Sequence, residues 1–188
     1  MLIEDTKLSG VKLITPKRFG DARGFFSESY SRRDLKDLGI DIEFVQDNHS
    51  LSAASGTVRG LHFQAPPHQQ DKLVRCGKGS LLDVTVDIRR GSPTYGMWVA
   101  EELSFENGKQ ILVPAGFAHG FITREPNTEI VYKCTDYYAP ETEGAIVWND
   151  PDIGIDWNIS GDIEPILSEK DTVALPLSEL NSPFIYET

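Results

Sequence analysis

The sequence predicts a mainly β protein, a sandwich or barrel with a few short helices, forming a single domain over residues 1–188. Three observations lead there. Short runs rich in Val, Ile, Leu and Phe recur at close spacing, turn residues separate them, and one stretch alone carries good helix signals. No repeat, low-complexity segment or linker-like shift in composition divides the 188 residues, which suffice for one substantial core.

Taken in order, "GDARGFFSESY" (Gly20 to Tyr30) reads as a loop around an aromatic pair, with Arg23 and Glu28 beside it. On its own it is a solvated arginine next to a hydrophobic staple. "SRRDLKDLG" is the helix: Ser31 is the N-cap, Asp34 follows three residues on, and Gly39 is the stop. "QDNHS" (Gln46 to Ser50) reads as an ordinary turn or as a set of polar groups that recognise sugar hydroxyls. "VRGLHFQ" (Val58 to Gln64) and "DKLVRC" are strands. A regular pleat puts Arg59, Leu61 and Phe63 on one side of the first, and Gly60, His62 and Gln64 on the other. "GSLLDVTVDIRRGSPT" is the cleanest strand, with Leu82, Val84, Val86 and Ile88 alternating with Asp83, Thr85 and Asp87 before a Gly-Ser-Pro turn. "KQILVPAGFAHGFIT" and "EIVYKCTDYYAP" add further strands, and the Pro-Ala-Gly turn presents His119 near a strand start. Tyr132 shares a strand face with Ile130 and Cys134. A short helical piece is expected near Thr172–Leu180.

Composition excludes several functions. A net charge of −11 argues against nucleic-acid and anionic-membrane partners. It leaves room for a small anionic ligand held by local cations such as Arg23, Arg59, Lys72 and Arg75. No apolar run is long enough for a membrane span, and the first residues do not read as a secretory signal, so the expected location is the cytoplasm. Cys76 and Cys134 are expected to be free, buried thiols. The four histidines (His49, His62, His68 and His119) show no metal-ligand spacing, so no metal site is expected.

Eight stretches in order resemble the dTDP-4-dehydrorhamnose 3,5-epimerases: "FGDARGFFSESY", "FVQDNHS", "VRGLHFQ", "KLVRC", "DVTVDIRRGSPTYG", "PAGFAHGF", "YKCTDYYAPE" and "WNDPDIGIDW". The resemblance covers about residues 10 to 175. It implies a cupin-type jelly roll and a homodimer with shared active sites, in the pathway to dTDP-L-rhamnose. It implies His62 as general base oriented by Asp171 of "SEKD", Tyr132 as general acid, and Lys72 and His119 lining the sugar site. It further implies Arg23, Glu28, Gln46, Asp47, Asn48, Arg59, Tyr138, Glu143 and Lys170 as contacts to the nucleotide sugar, some supplied across the dimer. The residue before the lysine is commonly glycine in such proteins, and here it is Asp71. The strand alternation also leaves Asp83 as a rival partner for His62.

The residue types agree with this chemistry. Epimerisation beside a ketone needs a base for the α-proton, a donor for the enolate oxygen, and an acid on the opposite face. Histidine, lysine and tyrosine suit these roles. None of the steps requires a metal or redox cofactor. The competing readings are an epimerase acting at one carbon or on another 4-keto nucleotide sugar, a sugar-binding jelly roll without chemistry, and a metal-dependent cupin.

Overall fold

The computed structural model describes residues 1–159 and 164–187. Its strands, in chain order, are Leu2–Asp5 (β1), Lys12–Thr15 (β2), Arg18–Asp21 (β3), Gly24–Ser27 (β4), Gln46–Ser52 (β5), Val58–Gln64 (β6), Lys72–Lys78 (β7), Ser80–Asp87 (β8), Trp98–Ser104 (β9), Gln110–Val113 (β10), Phe117–Thr123 (β11), Thr128–Cys134 (β12) and Glu143–Ala145 (β13). Two α-helices, Arg32–Asp37 (α1) and Glu169–Thr172 (α2), complete the main elements. The strands form a six-stranded sheet in the order β1-β2-β10-β7-β12-β5 and a five-stranded sheet in the order β13-β6-β11-β8-β9, with neighbours antiparallel. The hairpin β3–β4 stands apart from both. This is the mainly β jelly-roll barrel of cupin type that the sequence led us to expect.

Packing explains the sequence pattern layer by layer. Val74, Ile111 and Ile130 of one sheet meet Leu81, Val99, Phe117 and Phe121 of the other between the two sheets. On the outer face of the five-stranded sheet, Leu61, Phe63, Leu82, Val84 and Val86 are covered by Ile153, Trp157, Leu177 and Phe184 from the end of the chain. That sheet is therefore buried on both sides, and β8 is buried along almost its whole length. Each large aliphatic side chain sealed in this way stabilises the fold by roughly 1.5–3 kcal/mol. The polar half of β8, which alternation alone would assign to solvent, points inward: Asp83, Thr85 and Asp87 are fully buried. Burial at this depth calls for partners, and among the described residues the Thr85 hydroxyl is the buried side-chain group left without one. Asp87 accepts hydrogen bonds from Arg89, Ser92 and Thr94, and Asp83 serves a histidine described below.

Helix α1 forms as its signals dictate: the Ser31 hydroxyl accepts from the Asp34 backbone N–H, Leu35 is buried, and Gly39 adopts φ +88° just past the end. Leu35 and Ile40 cover Ile14, Leu73 and Leu112 on the outer face of the six-stranded sheet. Two local expectations are corrected. Gln46 to Ser50 is no turn but the start of β5, and Gly20 to Ser27 forms most of the hairpin β3–β4 rather than a loop. Polar residues of low β propensity hid both. The helical piece expected near Thr172–Leu180 is split into α2, ending at Thr172, and a 3-10 turn at Leu177–Glu179. Cys76 and Cys134 are free and buried, as expected.

Candidate active site

A cavity of about 700 Å³ opens between the two sheets. His62 and His119 enter it from the five-stranded sheet, Lys72 and Tyr132 from the six-stranded sheet, and Lys170 and Asp171 from α2. His62 and Tyr132 thus project from opposite walls.

Strand β6 is not a regular pleat. Its neighbour β11 pairs His119 with His62 and Phe121 with Arg59, so β6 carries one extra residue between the two pairs. This is a β-bulge, and it turns Arg59 onto the same wall as His62. The expectation from alternation, which set Arg59 with Leu61 and Phe63, fails for that reason. Gly60 permits the bulge. Its φ is +127°, and a Cβ there would lie 2.5 Å from the Gly120 Cα and 2.8 Å from the His119 carbonyl oxygen. Gln64 stays on the side of His62, but its amide is structural: Nε2 donates to the carbonyl of Tyr137 and Oε1 accepts from the Ala139 N–H.

His62 Nε2 donates to Asp171 Oδ1 at 2.5 Å. Asp171 is 2 % exposed, and its second oxygen, Oδ2, accepts from the Ser168 hydroxyl at 2.7 Å. A carboxylate at Nε2 fixes the tautomer, leaving Nδ1 as the free base nitrogen. Burial pushes the His62 imidazole below its usual value of 6.5; Asp171 opposes this through its charge and hydrogen bond, and Lys170 and Lys72 add to the lowering. Asp83 is not the partner of His62. Its two oxygens accept from His119 Nε2 at 3.0 and 2.8 Å.

Lys72 lines the cavity, and burial depresses its ammonium against the pull of Cys134, Glu143 and Asp83. The carboxylate of the preceding Asp71 has a backbone partner of its own. It accepts from the Ala115 N–H at 2.7 Å, and burial raises its pKa. Tyr132 is raised above its usual value of 10, first by burial and then by the neighbouring Cys134 and Glu143, with Arg59 opposing. At Glu143 burial works upward, and the hydrogen bond and charge of Lys170 outweigh it, so its carboxyl is lowered. Lys170 Nζ donates to Glu143 Oε1 at 2.7 Å, and Tyr138 Oη donates to Oε2 at 3.3 Å. The acidic stretch "APETEG" therefore brings a carboxylate, Glu143, to the cavity wall. Gln46 and Asn48 point inward from β5 into an adjoining recess shared with His62 and Tyr132.

Three expected contacts lie elsewhere in this chain. Asp47 is on the outer side of β5, paired with Lys133 at 2.8 Å. Arg23 is solvent-exposed at the tip of the β3–β4 hairpin, paired with Asp21. Glu28 is exposed just beyond that hairpin. Two features escaped the sequence reading. One is the Asp83–His119 pairing. The other is Ser168, whose signal was the S-x-x-D spacing of a helix cap.

A family model described as dTDP-4-dehydrorhamnose 3,5-epimerase matches residues 5–179. The dTDP-4-dehydrorhamnose 3,5-epimerase of Sinorhizobium fredii is 51% identical over 186 residues, covering 99% of this chain and 94% of that protein. The crystal structure of dTDP-6-deoxy-D-glucose-3,5-epimerase from Legionella pneumophila, in complex with dTDP-4-keto-L-rhamnose, superposes with a TM-score of 0.94 at 44% identity, covering 100% of this chain and 99% of that one. A 3'-monoepimerase from Streptomyces bikiniensis, in complex with dTDP-quinovose, is more distant: TM-score 0.85 and 33% identity, covering 92% and 86% of the two chains. With a fold matched over its whole length and half its residues shared with a curated member, the chain belongs to the dTDP-4-dehydrorhamnose 3,5-epimerase family.

Proposed function

We propose that this protein epimerises C3 and C5 of dTDP-4-dehydro-6-deoxy-glucose, giving dTDP-4-dehydro-L-rhamnose for dTDP-L-rhamnose biosynthesis. The observation that carries this is the placement of His62 and Tyr132 on opposite walls of one cavity. His62 Nδ1 removes the proton beside the ketone. The Lys72 ammonium faces the oxygen on which negative charge develops, where a preorganised donor is most effective. Tyr132, held protonated by burial, delivers a proton to the opposite face of the carbon. Each inversion leaves one proton on His62 and takes one from Tyr132, and exchange with water resets the pair. Arg59 and Lys170 supply positive charge for the diphosphate.

The identity of 51% to a 3,5-epimerase against 33% to a monoepimerase supports two inversions rather than one. The working unit is a homodimer, with Arg23 and Glu28 reaching the partner's cavity. This is supported by their distance from their own cavity and by the exposed rings of Phe19, Phe25 and Phe26 on the same hairpin. No described helix is long and apolar enough to cross a membrane; two free thiols support a cytoplasmic location.

Incubation with the 4-keto-6-deoxy sugar nucleotide in deuterated water tests the reading. Deuterium should appear at two carbons. Exchange at one carbon alone would mean a monoepimerase, and no exchange would mean a binding protein.

A further inference from the structure

His62 depends on a carboxylate that sits on the short, irregular end of the chain rather than on a barrel strand. Helix α2 has only four residues, too few to hold Asp171 rigid by its own hydrogen bonds. The segment around it is pinned at its ends, by a bridge between Thr57 and Ile166 and by one between Ile146 and Leu175. Between these pins, with Oδ1 already on His62, the orientation of the buried Asp171 carboxylate depends on what its second oxygen meets.

That oxygen meets Ser168. Its hydroxyl hydrogen goes to Asp171 Oδ2 at 2.7 Å, while its oxygen faces the Asp171 N–H at 3.4 Å. One side chain therefore caps the helix and orients the carboxylate. The two oxygens of Asp171 are divided, Oδ2 to Ser168 and Oδ1 to His62. We infer that Ser168 is a positioning residue for the reaction, the outer member of a Ser168–Asp171–His62 relay that holds the imidazole ring and sets the strength of its carboxylate partner. The inference rests on His62 being the base and deepens that assignment.

The direction of the effect follows from the donor. A hydroxyl on Oδ2 draws charge away from Oδ1 and weakens its hold on an imidazolium. Without it, His62 should titrate at higher pH and turn in a looser arc. The other charged groups facing His62 stay in place: Lys170 on α2, Lys72 on β7 and Glu143 on β13, with His119 and its partner Asp83 alongside.

Ser168→Gly separates the roles, because glycine serves nearly as well as serine at an N-cap but donates nothing. Ser168→Thr keeps both functions. The His62 ring is followed by NMR titration in the ligand-free protein, and turnover by deuterium incorporation at saturating substrate. For Ser168→Gly we expect a rise in the pH at which His62 titrates and a fall in kcat of roughly 10- to 100-fold, the scale of misplacing a reacting group. Ser168→Thr should restore both. If Ser168→Gly leaves the His62 titration unchanged, the relay is wrong, whatever happens to the rate. If His62→Ala itself exchanges normally, the failure lies in the assignment of the base instead.

Discussion

His62 and His119 face each other as direct partners on neighbouring antiparallel strands, and each gives its Nε2 hydrogen to a different buried carboxylate: Asp171 for His62 and Asp83 for His119. Two similar imidazoles therefore sit side by side with separate controls. Asp171→Asn should lose the tautomer and charge support of the base, and deuterium exchange should fall by about 10²–10⁴-fold, on the scale of losing the base itself in His62→Ala. Asp83→Asn should act through His119 and through the charge of Lys72, and leave His62 exchange-competent. Equal losses in the two asparagine variants, with both folded by circular dichroism, would reject this separation.

Tyr132→Phe removes a hydroxyl and keeps the ring that packs beside Ile130 and Val74. His62 should still take a proton and return a solvent deuteron to the same face. Exchange should persist while inversion falls, so their ratio at a single carbon rises above wild type. An unchanged ratio, measured by NMR on recovered sugar nucleotide, would make Tyr132 a packing residue and shift attention to Tyr138.

Burial lowers His62 below 6.5 and raises Tyr132 above 10. A general base works unprotonated, so activity should be lost only when the pH falls below the depressed imidazole value. A general acid works protonated, so the alkaline limb attributable to Tyr132 should lie above the ordinary phenol value. In a kcat/KM profile against pH the acid limb should therefore lie below 6.5, and the alkaline side should report the Lys72 ammonium, lowered from 10.5 by burial, as well as Tyr132. An acid limb centred above 6.5 would contradict this electrostatic picture.

Gly60→Ala should damage both stability and activity. The added methyl meets the backbone of β11 and its φ is unfavourable for any L side chain. The cost is roughly 2–5 kcal/mol, from backbone strain and overpacking together. Urea unfolding should show the loss, and any folded fraction should bind nucleotide sugar poorly as Arg59 shifts. A variant of normal stability would mean that β6 tolerates a regular path.

Local rules exposed much of the fold in the sequence. Ser31 and Gly39 bounded α1 because capping is decided within a few residues. The alternation along β8 marked a strand, but not that its polar side faces inward, since that depends on what the chain end later covers. Arg59 was misplaced because a bulge is set by the neighbouring strand, through Gly120, and not by β6 alone. The pairing of His62 with Asp171 spans 109 residues, and no periodicity reports such a contact; only the family resemblance suggested it.

The covering of the five-stranded sheet by the chain end has a consequence for the order of events during synthesis. Strands β6 to β12 leave the ribosome well before Leu177 and Phe184, which seal the outer face, and before Asp171, the partner of His62. A nascent chain can thus pair its strands while one broad apolar face is still bare and its histidine unassisted. The same late segment that hides this face also carries the carboxylate that meets His62, so a chain cut short before it leaves the apolar face bare and the histidine without that partner, and quality control that recognises exposed apolar surface would remove it.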